Sequence, residues 1–188
     1  MAAVSAPSTE KLITGDELYQ MPGVGSCELI DGRIVPMSPT GDAHGGIEGN
    51  FYSALQSFVR QLKLGKVRVG EVGVYIRRDP DRVRAADVLY ISNERYAQRK
   101  RKQGYLDVAP ELVVEILSPD DTVQDMNQKL RDYFSISVRL VWVADPATRL
   151  VMAYRSLTDV REFKETDMLT GDDVLPGFAV PVATLFED

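Results

Sequence analysis

The stretch Glu111-Leu-Val-Val-Glu-Ile-Leu-Ser118 decides the fold class and contains the first functional candidate. Its apolar residues are almost continuous, which is typical of a strand that other layers cover on both faces. Glu115 interrupts this run, and an unpaired carboxylate in such a place would cost several kcal/mol. We therefore expect Glu115 to be neutralised, hydrogen-bonded or bound to a cation.

A second acid has a similar place in Ala85-Ala-Asp-Val-Leu-Tyr-Ile91, where Asp87 opens an apolar strand. If the two strands are neighbours, the carboxylates lie about 5 Å apart and repel each other by about 3 kcal/mol at an effective dielectric constant of about 20. A divalent cation removes this repulsion, and Mg²⁺ suits the pair because it takes one or two carboxylates and completes its shell with water and phosphate. Taken separately, each acid could equally be a strand-end residue paired with an arginine.

Apolar spacing predicts a helix from Thr122 to Phe134 directly after this strand. Lys129 borders its buried face. The lysine is therefore either a cation for chemistry near the acids or an ordinary lysine whose ammonium reaches solvent.

The remaining pattern predicts an α/β domain with a mixed central β-sheet flanked by helices, an N-terminal hairpin and an outer β-meander. A capping box of Thr14 and Glu17 starts a short helix to about Gln20, and a long helix runs from Ile47 to about Lys63 with Gly65 as its stop. A hairpin turns at Asp31-Gly32, and a phase change at Glu71 predicts a bulge. The predicted strands are residues 27–30, 34–37, 67–78, 84–92, 112–117, 139–144, 150–154 and 162–164. Residues 1–10 are expected to form a flexible arm and residues 11–188 a single domain.

Composition excludes several classes of protein. The chain has 188 residues, a net charge of −6, one cysteine and one histidine, so it has no internal disulfide and no four-ligand zinc site of the usual kind. Any metal must sit on oxygen ligands. The longest apolar run is Leu140–Ala144, far below the ~20 residues of a membrane helix. We expect a soluble cytoplasmic protein that binds no membrane.

Positive charge is concentrated between Arg77 and Lys102, where the net charge is +5 while the rest of the chain carries −11. Such a segment is either a solvated surface or an electrostatic footprint for a polyanion. Its candidate nucleic-acid contacts are Arg77, Arg84, Arg99, Lys100, Arg101 and Lys102.

Several segments resemble the putative restriction endonuclease family of the PD-(D/E)XK nuclease superfamily. They are residues 28–32, residues 37–39 followed by His44, and residues 87–92, 110–119, 129–133 and 142–146. The resemblance extends over about residues 12–186, and the stretch from Val113 to Pro119 is its most specific part.

The resemblance implies a restriction-endonuclease-like fold and a Mg²⁺-dependent phosphodiesterase site, with Mn²⁺ as a possible substitute. In this reading Asp87, Glu115 and the Ile116 carbonyl hold the metal, which polarises the scissile phosphate and lowers the pKa of a bound water. The superfamily lysine two positions after the second acid is replaced by Leu117, so Lys129 on the following helix would orient the water or stabilise charge. Ala86 stands where the superfamily has proline.

Two further residues match family positions near this site. His44 is either a proton carrier or a structural hydrogen-bonding residue, and Glu28 is either a support for the metal ligands or a surface acid of the hairpin. The resemblance favours the basic segment as a surface that contacts the DNA backbone, because the segment surrounds Asp87 in the sequence.

Three functions are compatible with these residues. The first is a metal-dependent DNA endonuclease, the second a catalytically silent nucleic-acid-binding or assembly protein, and the third a hydrolase of small phosphodiesters. Spare acids could hold a cation without catalysis: Glu71, Asp107, Asp120 and Asp121. The complete trio of Asp87, Glu115 and Lys129 favours the enzyme. We expect a homodimer, since a two-fold axis matches that of duplex DNA, and a protein partner could supply specificity.

Overall fold

A sheet of eight strands forms the centre of the structure, a computed structural model in which residues 11–187 are described. The expected arm, residues 1–10, lies outside this range. The strands are β1 (Cys27–Ile30), β2 (Arg33–Pro36), β3 (Gly65–Arg77), β4 (Arg82–Ser92), β5 (Leu112–Ile116), β6 (Leu140–Asp145), β7 (Leu150–Tyr154) and β8 (Val160–Phe163), with β9 (Met168–Gly171) and β10 (Leu175–Pro181) in a separate pair. The helices are α1 (Gly15–Gln20), α2 (Asp42–Leu62), α3 (Asn93–Ala97), α4 (Val123–Ser135) and α5 (Val182–Leu185).

The sheet is mixed but mostly antiparallel, in the order β2-β1-β4-β5-β6-β7-β8. Strand β4 is long enough to pair with β3 along one edge and with β1 and then β5 along the other. Strands β5 and β6 are parallel, joined through α4, and every residue of β5 is buried. The predicted α/β fold with a mixed sheet, an N-terminal hairpin and an outer meander is confirmed.

Helices cover both faces of the sheet. Four residues at helical spacing on α2, Ile47, Phe51, Leu55 and Val59, pack on one face together with Trp142 of β6. On the opposite face α4 buries Met126, Leu130 and Tyr133 against Val113 and Leu89. The carboxyl end of β5 therefore lies between a helix on either side, where side chains from both can meet.

Several turns and helix ends lie where local signals in the sequence predict them. The capping box of Thr14 and Glu17 forms, and the turn residues Asp31 and Gly32 both have positive φ angles. The register of β3 against β4 shifts between Val69 and Val72, so the bulge at Glu71 is confirmed. Four short elements were not predicted from the sequence: α3, α5, β9 and β10.

The predicted stop of the long helix was wrong. Lys63, not Gly65, adopts the left-handed conformation that ends α2, with φ 54°. Gly65 instead starts β3 opposite Ser92, where its backbone approaches the end of β4 very closely. A Cβ atom on residue 65 would lie 2.0 Å from the Ile91 carbonyl oxygen. The glycine is required by this approach and not by the helix end.

Within residues 11–187, no helix is both long and apolar enough to cross a lipid bilayer.

We predict that Gly65→Ala destabilises the protein by about 2 kcal/mol or more, because overpacking against backbone that cannot move costs about 1–3 kcal/mol or more. Gly49→Ala is the matched control: residue 49 lies inside α2 with open space around its Cβ position. That substitution should stabilise the protein by about 0.5–1 kcal/mol through helix propensity. Urea unfolding measures both, and an unchanged or higher stability for Gly65→Ala would contradict the close approach.

Candidate functional site

The two acids singled out in the sequence lie on adjacent strands. Strands β4 and β5 are antiparallel neighbours with Val88 opposite Val114, which places Asp87 beside Glu115 at the end of β5. The backbone N–H of Ile116 donates a hydrogen bond of 2.7 Å to Asp87 Oδ2. Both carboxyl groups are buried, with Asp87 7% and Glu115 1% exposed. The condition for a paired carboxylate site is therefore met.

Helix α4 supplies the partners of the Glu115 carboxyl group. Lys129 Nζ donates to Glu115 Oε2 over 2.6 Å, and the Tyr133 hydroxyl donates to Oε1 over 2.5 Å. Burial raises the pKa of Glu115 to about 7, although the Lys129 ammonium acts in the opposite direction. Burial alone would lower the pKa of Lys129, but the adjacent carboxylate outweighs it and raises that pKa. The lysine is therefore charged and held against the buried acid.

His44 reaches the same place from the other side of the sheet, near the start of α2. Its Nε2 lies 3.1 Å from the Ile116 carbonyl oxygen and 3.5 Å from Asp87 Oδ2. The hydrogen bond to Asp87 raises the pKa of the imidazole, while partial burial lowers it. Within residues 11–187, the buried Nδ1 atom has no hydrogen-bond partner. The His44 side chain thus faces the two oxygen atoms, from Asp87 and Ile116, that the sequence assigns to a metal.

An open cleft of about 280 Å³ lies over these groups. Among the described residues that line it, the acids are Glu71, Asp87, Asp120 and Asp121, and Lys129 is the only lysine or arginine. The hydroxyl groups of Ser26 and Thr40 donate to the Glu71 carboxylate and hold it at the bulge of β3. Three of the four spare acids in the sequence line this cleft, and Asp107 does not. Because the wall is mostly negative, an anionic substrate would be repelled unless cations bound first.

The site residues fit a Mg²⁺ ion. The donors are two carboxylates, Asp87 and Glu115, and the carbonyl oxygen of Ile116, and Mg²⁺ needs only one or two carboxylates beside water and substrate oxygens. Within residues 11–187, no three His, Cys, Asp or Glu side chains form a ready-made metal cluster, so an all-protein cage is excluded there.

Three functional side chains were missed by the sequence analysis or given no role. Tyr133 follows Lys129 by one turn on α4, so the spacing of four could have assigned it to Glu115. Glu48 follows His44 by one turn on α2, and burial first, then the nearby Asp87 charge, raises its pKa. Asp132 gave no signal, because its partners are distant in the sequence.

Glu28 lies in a buried ion cluster instead of the cleft. Its Oε2 accepts from Arg84 over 2.5 Å and its Oε1 accepts from the backbone N–H of Ala85 over 3.1 Å. The guanidinium of Arg84 also contacts Asp132 on α4 over 2.7 Å. Arg82 extends the cluster by pairing with Asp132 and with Asp31 of the hairpin turn. Glu28 thus fixes the hairpin to β4, and the shared Arg84 links it to Asp132 of α4.

Most arginines of the basic segment are neutralised by acids from elsewhere in the fold. Arg84 is 7% exposed and buried between two carboxylates, so its placement corrects the expectation that it contacts nucleic acid. Arg77 pairs with Asp31 and Arg101 pairs with Asp16, both at 2.5 Å on the surface. Arg99 lies 3.7 Å over the Tyr96 ring. Lys100 and Lys102 are exposed in the loop after α3.

Comparisons with known proteins give a family for the chain and a related fold. Residues 16–183 match the model of the Uma2 family, described as putative restriction endonuclease. A crystal structure of a protein from Anabaena variabilis ATCC 29413, described as a putative nuclease belonging to DUF820, superposes with a TM-score of 0.77 at 20% sequence identity. The superposition covers 93% of this chain and 97% of that protein. No curated protein sequence matches the chain.

We predict that Arg84→Met destabilises the protein by about 3–5 kcal/mol, because it leaves the buried Glu28 and Asp132 carboxylates without their shared cation. Arg77→Met removes an exposed pair and should cost about 0–1 kcal/mol. Urea unfolding of both variants gives the comparison. Equal, small losses would show that the cluster around Arg84 contributes little.

We also predict that Glu115 makes the metal-free protein less stable as the pH rises. A carboxyl group whose folded pKa is about 7 holds its proton more tightly in the folded state than at its ordinary value of 4.5. Its contribution is fully present below about pH 4.5 and is lost as the pH rises to about 7. Thermal unfolding in EDTA should show this fall in the wild type relative to Glu115→Gln, and parallel pH profiles would contradict it.

Proposed function

Since the chain belongs to the Uma2 family of putative restriction endonucleases, we propose that it is a Mg²⁺-dependent endonuclease that hydrolyses phosphodiester bonds in DNA. The observation that carries the proposal is the 2.6 Å contact of Lys129 with Glu115, beside Asp87 on the neighbouring strand. Two acids and a fixed cation thus lie together at one end of the cleft. The cation comes from helix α4 and not from the strand that carries Glu115.

Asp87, Glu115 and the Ile116 carbonyl are the residues that would hold Mg²⁺, with Mn²⁺ as a substitute. The bound ion supplies positive charge that polarises the phosphate and acidifies a coordinated water. The protein contributes a rigid donor set, because the Ile116 N–H fixes the Asp87 carboxylate and Tyr133 fixes that of Glu115. Without a bound cation, the acidic wall of the cleft repels a phosphate group, so metal binding should precede the entry of the scissile phosphate into the cleft.

Lys129 is the residue that we assign to the reacting groups. It lines the cleft while its ammonium contacts Glu115, so it can direct a proton toward a phosphate oxygen or an attacking water at the mouth of the acid pair. His44 also lines the cleft, and its contact with Asp87 raises the pKa of the imidazole, which favours a proton on Nε2. It can deliver that proton to a leaving oxygen, and Glu48 one turn away keeps the imidazole in a negative field.

Three expectations from the sequence remain part of the proposal. A homodimer would place two cleavage sites on the two strands of a duplex. We also propose a cytoplasmic location. A protein partner would supply sequence specificity. These expectations rest on the sequence and on the chemistry of the substrate.

We predict that the purified protein nicks supercoiled plasmid in Mg²⁺ or Mn²⁺ and that EDTA abolishes the activity. Asp87→Asn, Glu115→Gln and Lys129→Met should each lower the nicking rate by about a hundredfold or more, since loss of one preorganised electrostatic group costs about 10²–10³ in rate. Glu162→Gln, on the exposed strand β8, is the control for loss of one acid.

Circular dichroism and thermal unfolding should accompany the rates, so that loss of fold is not counted as loss of chemistry. The absence of cleavage on plasmid, single-stranded DNA and RNA would contradict the proposal. If the three substitutions then changed only thermal stability, the catalytically silent binding protein would be favoured.

A further inference from the structure

Four exposed cations gather where α2 ends and β3 begins. Arg60 and Lys63 come from the end of the helix, and Lys66 and Arg68 come from the strand. Together they line a cavity of about 330 Å³ whose remaining walls include Gln56 and Asn93. None of the described residues that line this cavity is an acid. We call these four residues the β3 basic surface.

The β3 basic surface differs from the basic segment that is evident in the sequence. Within residues 11–187, none of its four cations forms an ion pair, whereas six arginines between Arg77 and Lys102 do. A cation that already faces a carboxylate gives little further attraction for a polyanion. The four cations of the β3 basic surface therefore attract a phosphate chain more strongly than the paired arginines of the basic segment do, although the whole protein is negative.

The shape of this surface is fixed by the backbone beneath it. The Asn93 side chain donates to the Lys63 carbonyl over 2.7 Å, and the Asn93 N–H donates to the Leu64 carbonyl over 3.1 Å. These bonds hold the left-handed end of α2 against the end of β4. Helix polarity accounts for cations near the end of α2. It does not account for Lys66 and Arg68, which lie on the strand.

Arg68 joins the β3 basic surface to an aromatic neighbourhood. Its guanidinium lies 5.7 Å from the centroid of the Tyr96 ring, and the guanidinium of Arg99 lies 3.7 Å from the same centroid. Within the described residues the buried Nε of Arg99 has no hydrogen-bond partner, and neither arginine has a carboxylate partner. Tyr96 thus keeps two cations together without neutralising them.

Strand β3 connects this surface to the cleft. Arg68 precedes the cleft residue Glu71 by three strand positions, at most about 10 Å at the usual rise of ~3.3 Å per residue. Along α2, His44 and Arg60 are separated by about 24 Å at 1.5 Å per residue. Because duplex DNA rises 3.4 Å per base pair, these separations correspond to about three to seven base pairs.

We infer that the β3 basic surface is the DNA-backbone site of this protein and binds phosphates about three to seven base pairs from the scissile bond. The inference rests on the proposed nuclease function and replaces the basic segment as the main contact surface. Phosphate contacts of this kind hold the duplex in register on the cleft without reading its sequence. The cavity lined by Gln56 and Asn93 gives side-chain donors and acceptors beside the cations.

The test uses a fourfold variant, Arg60→Gln, Lys63→Gln, Lys66→Gln and Arg68→Gln, in the full-length protein. The control, Lys11→Gln, Arg139→Gln, Arg161→Gln and Lys164→Gln, removes the same charge from exposed positions elsewhere. A third variant, Arg77→Gln, Lys100→Gln, Arg101→Gln and Lys102→Gln, represents the basic segment. Fluorescence anisotropy with a labelled duplex of about 20 base pairs, in EDTA at about 50–200 mM salt, gives Kd and its salt dependence.

We predict that the β3 variant binds at least about tenfold more weakly than the wild type and that its salt slope is smaller by about 3–4, since each phosphate contact contributes about 0.9. The control should bind like the wild type. Equal losses in the β3 variant and the control would show a net-charge effect and would overturn the inference. A wild type that does not bind, or a loss confined to the basic-segment variant, would also overturn it.

Nicking in Mg²⁺ separates this inference from the proposed function. If the wild type nicks plasmid but the β3 variant binds and nicks equally well, the function stands and the inference fails. If the wild type binds through the β3 basic surface and never cleaves, the surface stands and the nuclease proposal fails. Glu115→Gln should lose nicking while it keeps DNA binding in EDTA.

Discussion

The burial of one carboxyl group, that of Glu115, is the constraint on which the site depends. Strand β5 is covered on both faces, so the acid in its middle must find partners inside the protein. Helix α4 provides them through Lys129 and Tyr133, and the neighbouring Asp132 fixes the same helix to β4 through Arg84. The helix is therefore held to the sheet by polar contacts along one side and by apolar packing below. These contacts fix the position of α4 on the sheet. Lys129 can therefore contact an acid of β5 although it lies on a helix.

The distribution of charge follows from the same fold. The segment that looks basic in the sequence forms ion pairs with acids of the hairpin, α1 and α4. Most of its positive charge is therefore neutralised within the protein. The cleft shows the reverse, since its acids have few cations beside them. The β3 basic surface is assembled from the end of a helix and the start of a strand. The cations that attract a polyanion thus lie farther along β3, and they do not surround the acids of the cleft.

Much of the fold was predictable because its signals are local. The burial of β5, the turn at Asp31-Gly32 and the bulge at Glu71 each follow from a few adjacent residues, and the acid pair follows from polar residues inside apolar strands. The fate of Arg84 was not predictable, because its two partners lie on the hairpin and on α4. Gly65 was misread as a helix stop, because glycine is also the residue that a close approach of two backbones requires. The sequence does not distinguish the two cases. The β3 basic surface was missed because its cations are separated by apolar residues and form no run.

The edge of β3 illustrates a second effect of its charges. Near Tyr75 the strand is covered, since the segment at Leu106 bonds to the backbone of Gly73 and Tyr75. Around Lys66 and Arg68, within the described residues, its outer backbone groups have no such cover. An open strand edge can pair with a strand of another molecule and begin aggregation, and lysine or arginine side chains along the edge oppose this. The cations of β3 therefore also oppose edge-to-edge strand pairing between copies of the protein, which ties its resistance to aggregation to the same residues.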